Sequence, residues 1–132
     1  MKDYQTQNIR NIAIVGHGGE GKTTLTEALL WTTGAIDRMG RVEDGNTVSD
    51  YDTEEIRRQF SISTSVAPVE WKDKKINFID IPGYFDFIGE MMGPLRIVDA
   101  ALIVVGAVNG LKYMFVPGWA VANGVIEKAP SF

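Results

Sequence analysis

Cysteine is absent from the chain, and His17 is its only histidine. Disulfides and thiol-ligated metals are therefore excluded, and the composition fits a reducing compartment. Long hydrophobic runs are missing as well. The longest, Ala100 to Val105 with its neighbours, falls far short of the roughly 20 residues a membrane-spanning helix requires. The N-terminal stretch Met1 to Asn8 is polar and has no apolar signal-peptide core. These absences lead us to expect a cytoplasmic chain with no membrane partner. Positive charge is not in excess either: 13 Lys and Arg against 17 Asp and Glu give a net charge of −4. That balance argues against a nucleic-acid surface spread over the whole domain, and no DNA partner is expected, although a local basic contact stays open. There is no internal repeat and no low-complexity segment.

What is present points to one soluble globular unit, since 45% of the 132 residues are hydrophobic and 23% charged. The apolar run Ile12-Ala13-Ile14-Val15 leads directly into Gly16-His17-Gly18-Gly19-Glu20-Gly21-Lys22-Thr23, a complete G-x-x-x-x-G-K-[ST] phosphate-binding loop. In such a loop the glycines let the backbone N–H groups turn inward around phosphates. The lysine, here Lys22, reaches the β and γ phosphates, and the hydroxyl of Thr23 ligates Mg²⁺. The context is as required, with a strand over Ile9 to Val15 before the loop. A helix follows over Thr24 to Thr33, with Leu25, Ala28, Leu29 and Leu30 at helical spacing and Gly34 in the C-terminal capping place.

Asp37 to Gln59 is charged, glycine-punctuated and poor in apolar anchors, and reads as a long mobile loop. Phe60 to Trp71 and Lys74 to Asp80 read as strands of an antiparallel hairpin turning at Lys72-Asp73. Phe85 to Ile97 is partly helical in pattern, and Ala100 to Val108 suits a central strand. This succession is an α/β order. A second motif, Asp80-Ile81-Pro82-Gly83, ends the second hairpin strand. A carboxylate at that strand end can hold Mg²⁺, often through water, and Gly83 lets a backbone N–H approach the γ-phosphate. A simple turn after a strand would produce the same four residues, and the phosphate loop upstream is what favours a nucleotide switch.

At Arg57-Arg58-Gln59-Phe60-Ser61-Ile62 the chain resembles the translational GTPases, in particular the elongation factor G family and its elongation-factor-G-like branch. The resemblance covers about residues 8 to 111. It rests on Asn11 to His17 leading into Gly21 to Glu27, on Gly34-Ala35-Ile36-Asp37-Arg38, and on Asp44 to Asp50. It continues through Asp80 to Phe87, Asp99 to Leu102 and Ala107-Val108-Asn109-Gly110. The fold implied is a P-loop NTPase three-layer sandwich with a mostly parallel sheet, here an incomplete G domain over residues 1–111 followed by a divergent tail over 112–132. The cofactors implied are GTP or GDP and Mg²⁺.

The resemblance also implies roles. Gly16, His17, Gly18, Gly19, Glu20, Gly21, Lys22, Thr23 and Thr24, with Asp80 and Gly83, would hold the nucleotide, and Thr23, Ser61 and Asp80 the metal. Ser61 stands where the family carries a switch I threonine; its alternative reading is a polar residue on an alternating strand. Tyr84 stands where most of the family has the histidine that orients the attacking water, and it would be catalytic with Lys22 unless its ring only packs. Gly19 and Ile81 depart from elongation factor G itself, which has aspartate and usually threonine there. His17 would shape the loop and not act as a general base. Arg57 and Arg58 are either solvated or in contact with ribosomal RNA.

The family reads guanine with Asn-Lys-x-Asp, and no asparagine of this chain is followed by lysine. After Leu111 the sequence departs from the family pattern. A truncated or altered product of a longer factor is the favoured explanation, against a short protein whose tail residues Phe115, Val116, Trp119 and Val125 cover the sheet edge. The function expected is Mg-dependent GTP hydrolysis by an elongation factor G-like protein on the ribosome, in translocation or recycling. The alternatives are a fragment that binds nucleotide phosphates without turnover or strict guanine selectivity, and an unrelated P-loop kinase or ATPase.

Overall fold

The computed structural model describes residues 2–83, 88–107, 119–122 and 125–128. Its strands are β1 (Ile9–Val15), β2 (Ser65–Trp71), β3 (Lys74–Asp80), β4 (Ala100–Ile103), β5 (Trp119–Ala122) and β6 (Val125–Lys128). Its α-helices are α1 (Lys22–Thr32), α2 (Thr53–Arg58) and α3 (Ile88–Met92), and short 3-10 turns cover Thr6–Asn8 and Pro94–Arg96. The strands form one mixed sheet in the order β2-β3-β1-β4-β6-β5. At its centre β3 and β4 both run parallel to β1. β2 is antiparallel to β3, β6 to β4 and β5 to β6, so four of the six strands point the same way. This is the expected mostly parallel sheet of a partial P-loop domain.

β1 is buried on both sides, which explains why Ala13, Ile14 and Val15 are apolar in succession and do not alternate. On one face Ile14 meets Leu30 of α1 together with Ala67, Val69 and Phe78, and Ile12, Leu29, Ile36, Ile76 and Val104 pack against that cluster. On the other face Ala13, Val15, Ile79 and Ile81 pack with Leu95 and Val98, and Met91 of α3 joins them. Helix, sheet and helix are therefore the three layers. Burying each Ile or Val of this kind contributes about 1.5–3 kcal/mol. Among the described residues no helix is long and apolar enough to cross a membrane.

The hairpin β2–β3 turns at Lys72 and Asp73, whose φ values of 47° and 60° suit a two-residue type I′ turn. Pro68 is tolerated in β2 because that strand is the sheet's edge. At the end of α1, Ala35 N–H donates to the Leu30 carbonyl (2.9 Å) and Gly34 N–H to that of Trp31 (3.0 Å). These two bonds make a Schellman closure with Gly34 in the expected capping place.

Three segments differ from the sequence-based expectation. The presumed loop Asp37 to Gln59 contains α2, capped by Asp52 and anchored by Glu55, while Thr47, Ser49, Asp50 and Glu55 are buried. Six residues are too few to show a hydrophobic period, and α2 is held by its cap and by the contacts of Glu55. The strand expected from Phe60 begins only at Ser65, because Phe60 and Ser61 line a cleft instead. The strand expected over Ala100 to Val108, whose last residue lies outside the described ones, is β4 as far as Ile103 within residues 100–107. Val104 N–H still reaches the Val15 carbonyl (2.8 Å), but β1 ends there, so among the described residues β1 offers no partner beyond it.

Candidate functional site

Two parallel neighbours create the site. β1 leads into the phosphate loop, β3 ends at Asp80, and the register places Ile14 opposite Asp80. The chain crosses to β3 on one side of β1 and then to β4 on the other, so the loop sits at a switch point of the sheet. Ligands of open α/β sheets bind outside the strand ends at such points. The loop turns at Gly19 and Gly21, with left-handed φ values of 80° and 90°, and delivers Lys22 as the first residue of α1.

The buried stripe of α1 is Lys22, Thr23, Thr26, Glu27 and Leu30. It is polar except for Leu30, whereas the sequence pattern pointed to Leu25, Ala28, Leu29 and Leu30; Leu25, Ala28 and Leu29 are only half-buried. The rotation follows from what the helix faces. Lys22 and Thr23 line a cleft of about 190 Å³, and the Glu27 carboxylate accepts from the backbone N–H groups of Gly40 (2.9 Å) and Val48 (2.6 Å).

Gly18, Gly19, Gly21 and Thr24 line the same cleft with Lys22 and Thr23. Val42, Glu43, Asp50, Gln59, Phe60 and Ser61 form the opposing wall, and Gly83 completes the lining. The Lys22 ammonium donates to the His17 carbonyl (3.1 Å), and His17 Nδ1 lies 2.9 Å from the Gly18 carbonyl. Gly18 N–H donates to the Gly83 carbonyl (3.1 Å), tying the phosphate loop to the Asp80–Gly83 turn. Gly16 is packed so closely on the Val104 carbonyl that a Cβ would overlap it, and Glu20 lies against Gly106. Tyr84, the expected catalytic tyrosine, lies outside the described residues.

The residues expected at the metal do converge. The Thr23 hydroxyl donates to Asp80 Oδ2 (2.9 Å) and stands 3.1 Å from the Ser61 hydroxyl, which donates to Asp50 Oδ1 (2.6 Å). The other oxygens, Asp80 Oδ1 and Asp50 Oδ2, are buried without a hydrogen-bond partner among the described residues. Mg²⁺ takes oxygen ligands in an octahedron and is usually held by one or two carboxylates plus substrate phosphates. Two adjacent hydroxyls and two orphaned carboxylate oxygens fit such an ion. Among the described residues no group of three His, Asp or Glu side chains could hold a metal alone, and waters or substrate phosphates would supply the remaining ligands.

Burial dominates the electrostatics. It pushes the Asp80 carboxyl up to about 6, while the Thr23 hydrogen bond and the Lys22 charge oppose the rise. Burial raises Asp50 too, against the Ser61 hydrogen bond, and lowers Lys22 against the attraction of Asp80, Asp50 and Glu20. An Asp80 pKa of about 6 in the folded chain, against an ordinary 3.8, means that the folded chain keeps a proton the unfolded chain has lost. This contribution is fully present below about pH 4 and is lost as pH rises through 6, a change of about 3 kcal/mol. In urea titrations without nucleotide or metal, the stability of wild type minus that of Asp80→Asn should therefore decline between pH 4 and 7. A flat difference would contradict the burial account.

Sequence reasoning missed Asp50, Glu27 and Glu55. Asp50 and Glu27 stand in the sequence only within stretches that resemble the family, and charged residues are ordinarily expected at the surface. For Glu55 a signal existed in Asp52-Thr53-Glu54-Glu55, a capping-box spacing.

Comparison with known proteins agrees with this geometry. The elongation factor Tu GTP binding domain family matches residues 7–124. The chain is 42% identical over 117 residues to elongation factor G 2 of Hahella chejuensis, covering 89% of this chain and 17% of that protein. It is 46% identical over 103 residues to an elongation factor G-like protein of Mycobacterium tuberculosis, covering 78% and 14%. A crystal structure from Thermus thermophilus superposes with a TM-score of 0.76 at 49% identity, covering 79% of this chain and 16% of the other. The chain thus spans about a sixth of the length of these relatives. A phosphate loop on β1, a carboxylate at the end of the adjoining β3 and a match over most of the chain lead to one conclusion: this chain belongs to the elongation factor Tu GTP binding domain family.

Proposed function

We propose that the chain binds GTP and Mg²⁺ in the cleft between the phosphate loop and residues 42–61. In this reading it is the first part of the GTP-binding domain of an elongation factor G-like protein that hydrolyses GTP on the ribosome, in translocation or recycling. The observation that carries the reading is the convergence of Thr23, Ser61, Asp80 and Asp50 beside Lys22. Lys22 supplies the cation for the β and γ phosphates, replacing its bond to the His17 carbonyl with bonds to phosphate oxygen. Loop N–H groups and the N-terminus of α1 add fixed positive dipoles. Thr23, Ser61 and Asp80 would hold Mg²⁺, which when bound neutralises charge on the phosphates. Because Ser61 belongs to the wall opposite the loop, its engagement would couple that wall to the nucleotide state. Tyr84 would position water. Residues 1–111 would supply the nucleotide-binding part and residues 112–132 a divergent tail, and the chain would act in the cytoplasm.

A second reading, phosphate binding without guanine selectivity or turnover, is favoured by one fact: no asparagine here precedes a lysine. Competition against a fluorescent GTP analogue separates the two. The GTP-specific reading expects GTP to displace the probe at least about tenfold better than ATP, a difference of roughly 1.4 kcal/mol. Equal displacement, with no phosphate released in the presence of ribosomes, would establish the second reading for this chain.

A further inference from the structure

We infer that Glu55 is a positioning residue that sets the Ser61 hydroxyl against Thr23 and Asp80, and so governs how well the cleft takes Mg²⁺ with the nucleotide. The inference rests on the GTP–Mg²⁺ reading of the cleft. Glu55 is 2% exposed although it is a carboxylate. Its Oε1 accepts from the backbone N–H groups of Ile62 (2.9 Å) and Ser63 (3.0 Å), the two residues that follow Ser61. Its Oε2 accepts from Asp52 N–H (3.2 Å), while the Asp52 side chain accepts from Glu54 N–H (2.8 Å). One buried side chain thus joins the start of α2 to the backbone immediately after Ser61.

The consequence for Ser61 is geometric. Its hydroxyl bonds Asp50 Oδ1 at 2.6 Å and lies 3.1 Å from Thr23 Oγ1, but Ser61 belongs to no helix or strand. Between Gln59 at the end of α2 and Ser65 at the start of β2, Glu90 Oε2 accepts from Thr64 N–H (3.2 Å), while the Glu55 carboxylate holds the two backbone N–H groups that directly follow Ser61. A carboxylate offers two acceptor oxygens and can satisfy all three N–H donors. An amide offers one, so Glu55→Gln keeps the Ile62 and Ser63 bonds only by facing its NH₂ toward Asp52 N–H. Alanine removes the acceptor of all three donors and loosens the backbone directly after Ser61, while Thr64 keeps its bonds to Glu90.

The test uses the full chain with Glu55→Ala, Glu55→Gln, Ser61→Ala and the double variant Glu55→Ala/Ser61→Ala. Amide hydrogen exchange without nucleotide should show faster exchange at Ile62 and Ser63 in Glu55→Ala, with α1 and β1 protected as in wild type. Mg²⁺ titrations of GTP binding should show a half-saturating concentration raised about tenfold in Glu55→Ala, as removal of an outer-shell support does, and less in Glu55→Gln. The double variant should match Ser61→Ala, since Glu55 acts through Ser61. Additive losses in the double variant would overturn the inference. So would an unchanged Mg²⁺ response in both Glu55 variants while wild type responds to Mg²⁺, and that result would leave the GTP–Mg²⁺ reading intact. If Glu55→Ala does not fold, the Glu55→Gln titration and exchange decide, and wild-type behaviour in both overturns the inference. A wild type whose GTP binding is indifferent to Mg²⁺ overturns the reading and the inference together.

Discussion

Lys22→Ala is expected to remove most of the triphosphate affinity of the chain, about 2–5 kcal/mol, the range seen when one partner of a buried, hydrogen-bonded charge pair is deleted. Three features make the effect large. The ammonium is buried, so its field on a phosphate is weakly screened. It is held at the mouth of the loop by the His17 carbonyl, a neutral partner that a phosphate oxygen can displace. It also offsets Asp80 and Asp50, whose buried oxygens would otherwise repel an anion. The effect on the empty chain is smaller because two contributions oppose each other. Alanine relieves the cost of burying an ammonium, but it leaves Asp80 and Asp50 without their counter-charge. Calorimetric titration with GTP and a urea midpoint on the same preparations would check both halves, and unchanged GTP affinity would show that the phosphate loop is wrongly assigned.

Gly83→Ala should damage both the fold around the cleft and its ligand. A Cβ built on Gly83 would collide with the Lys22 ammonium and come within 2.5 Å of the Gly18 nitrogen and 2.6 Å of the Gly16 carbonyl oxygen. The lysine end can swing away, but the other two atoms are backbone of the phosphate loop. The loop would have to separate from the Asp80–Gly83 turn and break the Gly18 N–H bond to the Gly83 carbonyl. Overpacking of this kind costs about 1–3 kcal/mol of stability. Nucleotide affinity should fall further, because the displaced atoms belong to the phosphate cradle itself. Thermal melts and GTP titrations report the two losses separately. Gly89→Ala is the matched control, since a Cβ there meets nothing within 4 Å among the described residues and the α3 backbone accepts alanine.

Much of the scaffold was legible from local signals. The apolar run Ile12 to Val15 required a strand covered on both faces, the glycine spacing after it required a phosphate loop, and Lys72-Asp73 between two strand patterns required a hairpin. Each signal lies within a few residues of the structure it specifies. The segment 37–59 was misread for the same reason: it has no hydrophobic period, and what orders it is remote. Glu27 of α1 binds the N–H groups of Gly40 and Val48, and Glu55 binds those of Ile62 and Ser63. A glutamate in a sequence carries no mark of being buried under backbone donors, although the spacing of Asp52 and Glu55 was a usable one.

The groups that can grip a triphosphate were therefore decided in the order of residues, because the loop's glycines, Lys22 and Thr23 are contiguous and their conformational freedom and charge are intrinsic. Their assembly into a cleft was decided only in three dimensions. Parallel pairing sets Ile14 opposite Asp80 and so brings Thr23 and Asp80, 57 residues apart, within hydrogen-bond distance. Buried carboxylate clasps, Glu27 on Val48 N–H and Glu55 on the N–H groups of Ile62 and Ser63, hold the backbone beside Asp50 and Ser61 where these meet Thr23. Burial then did what no residue type does alone, raising Asp80 and lowering Lys22 by taking both out of water while leaving each within the other's field.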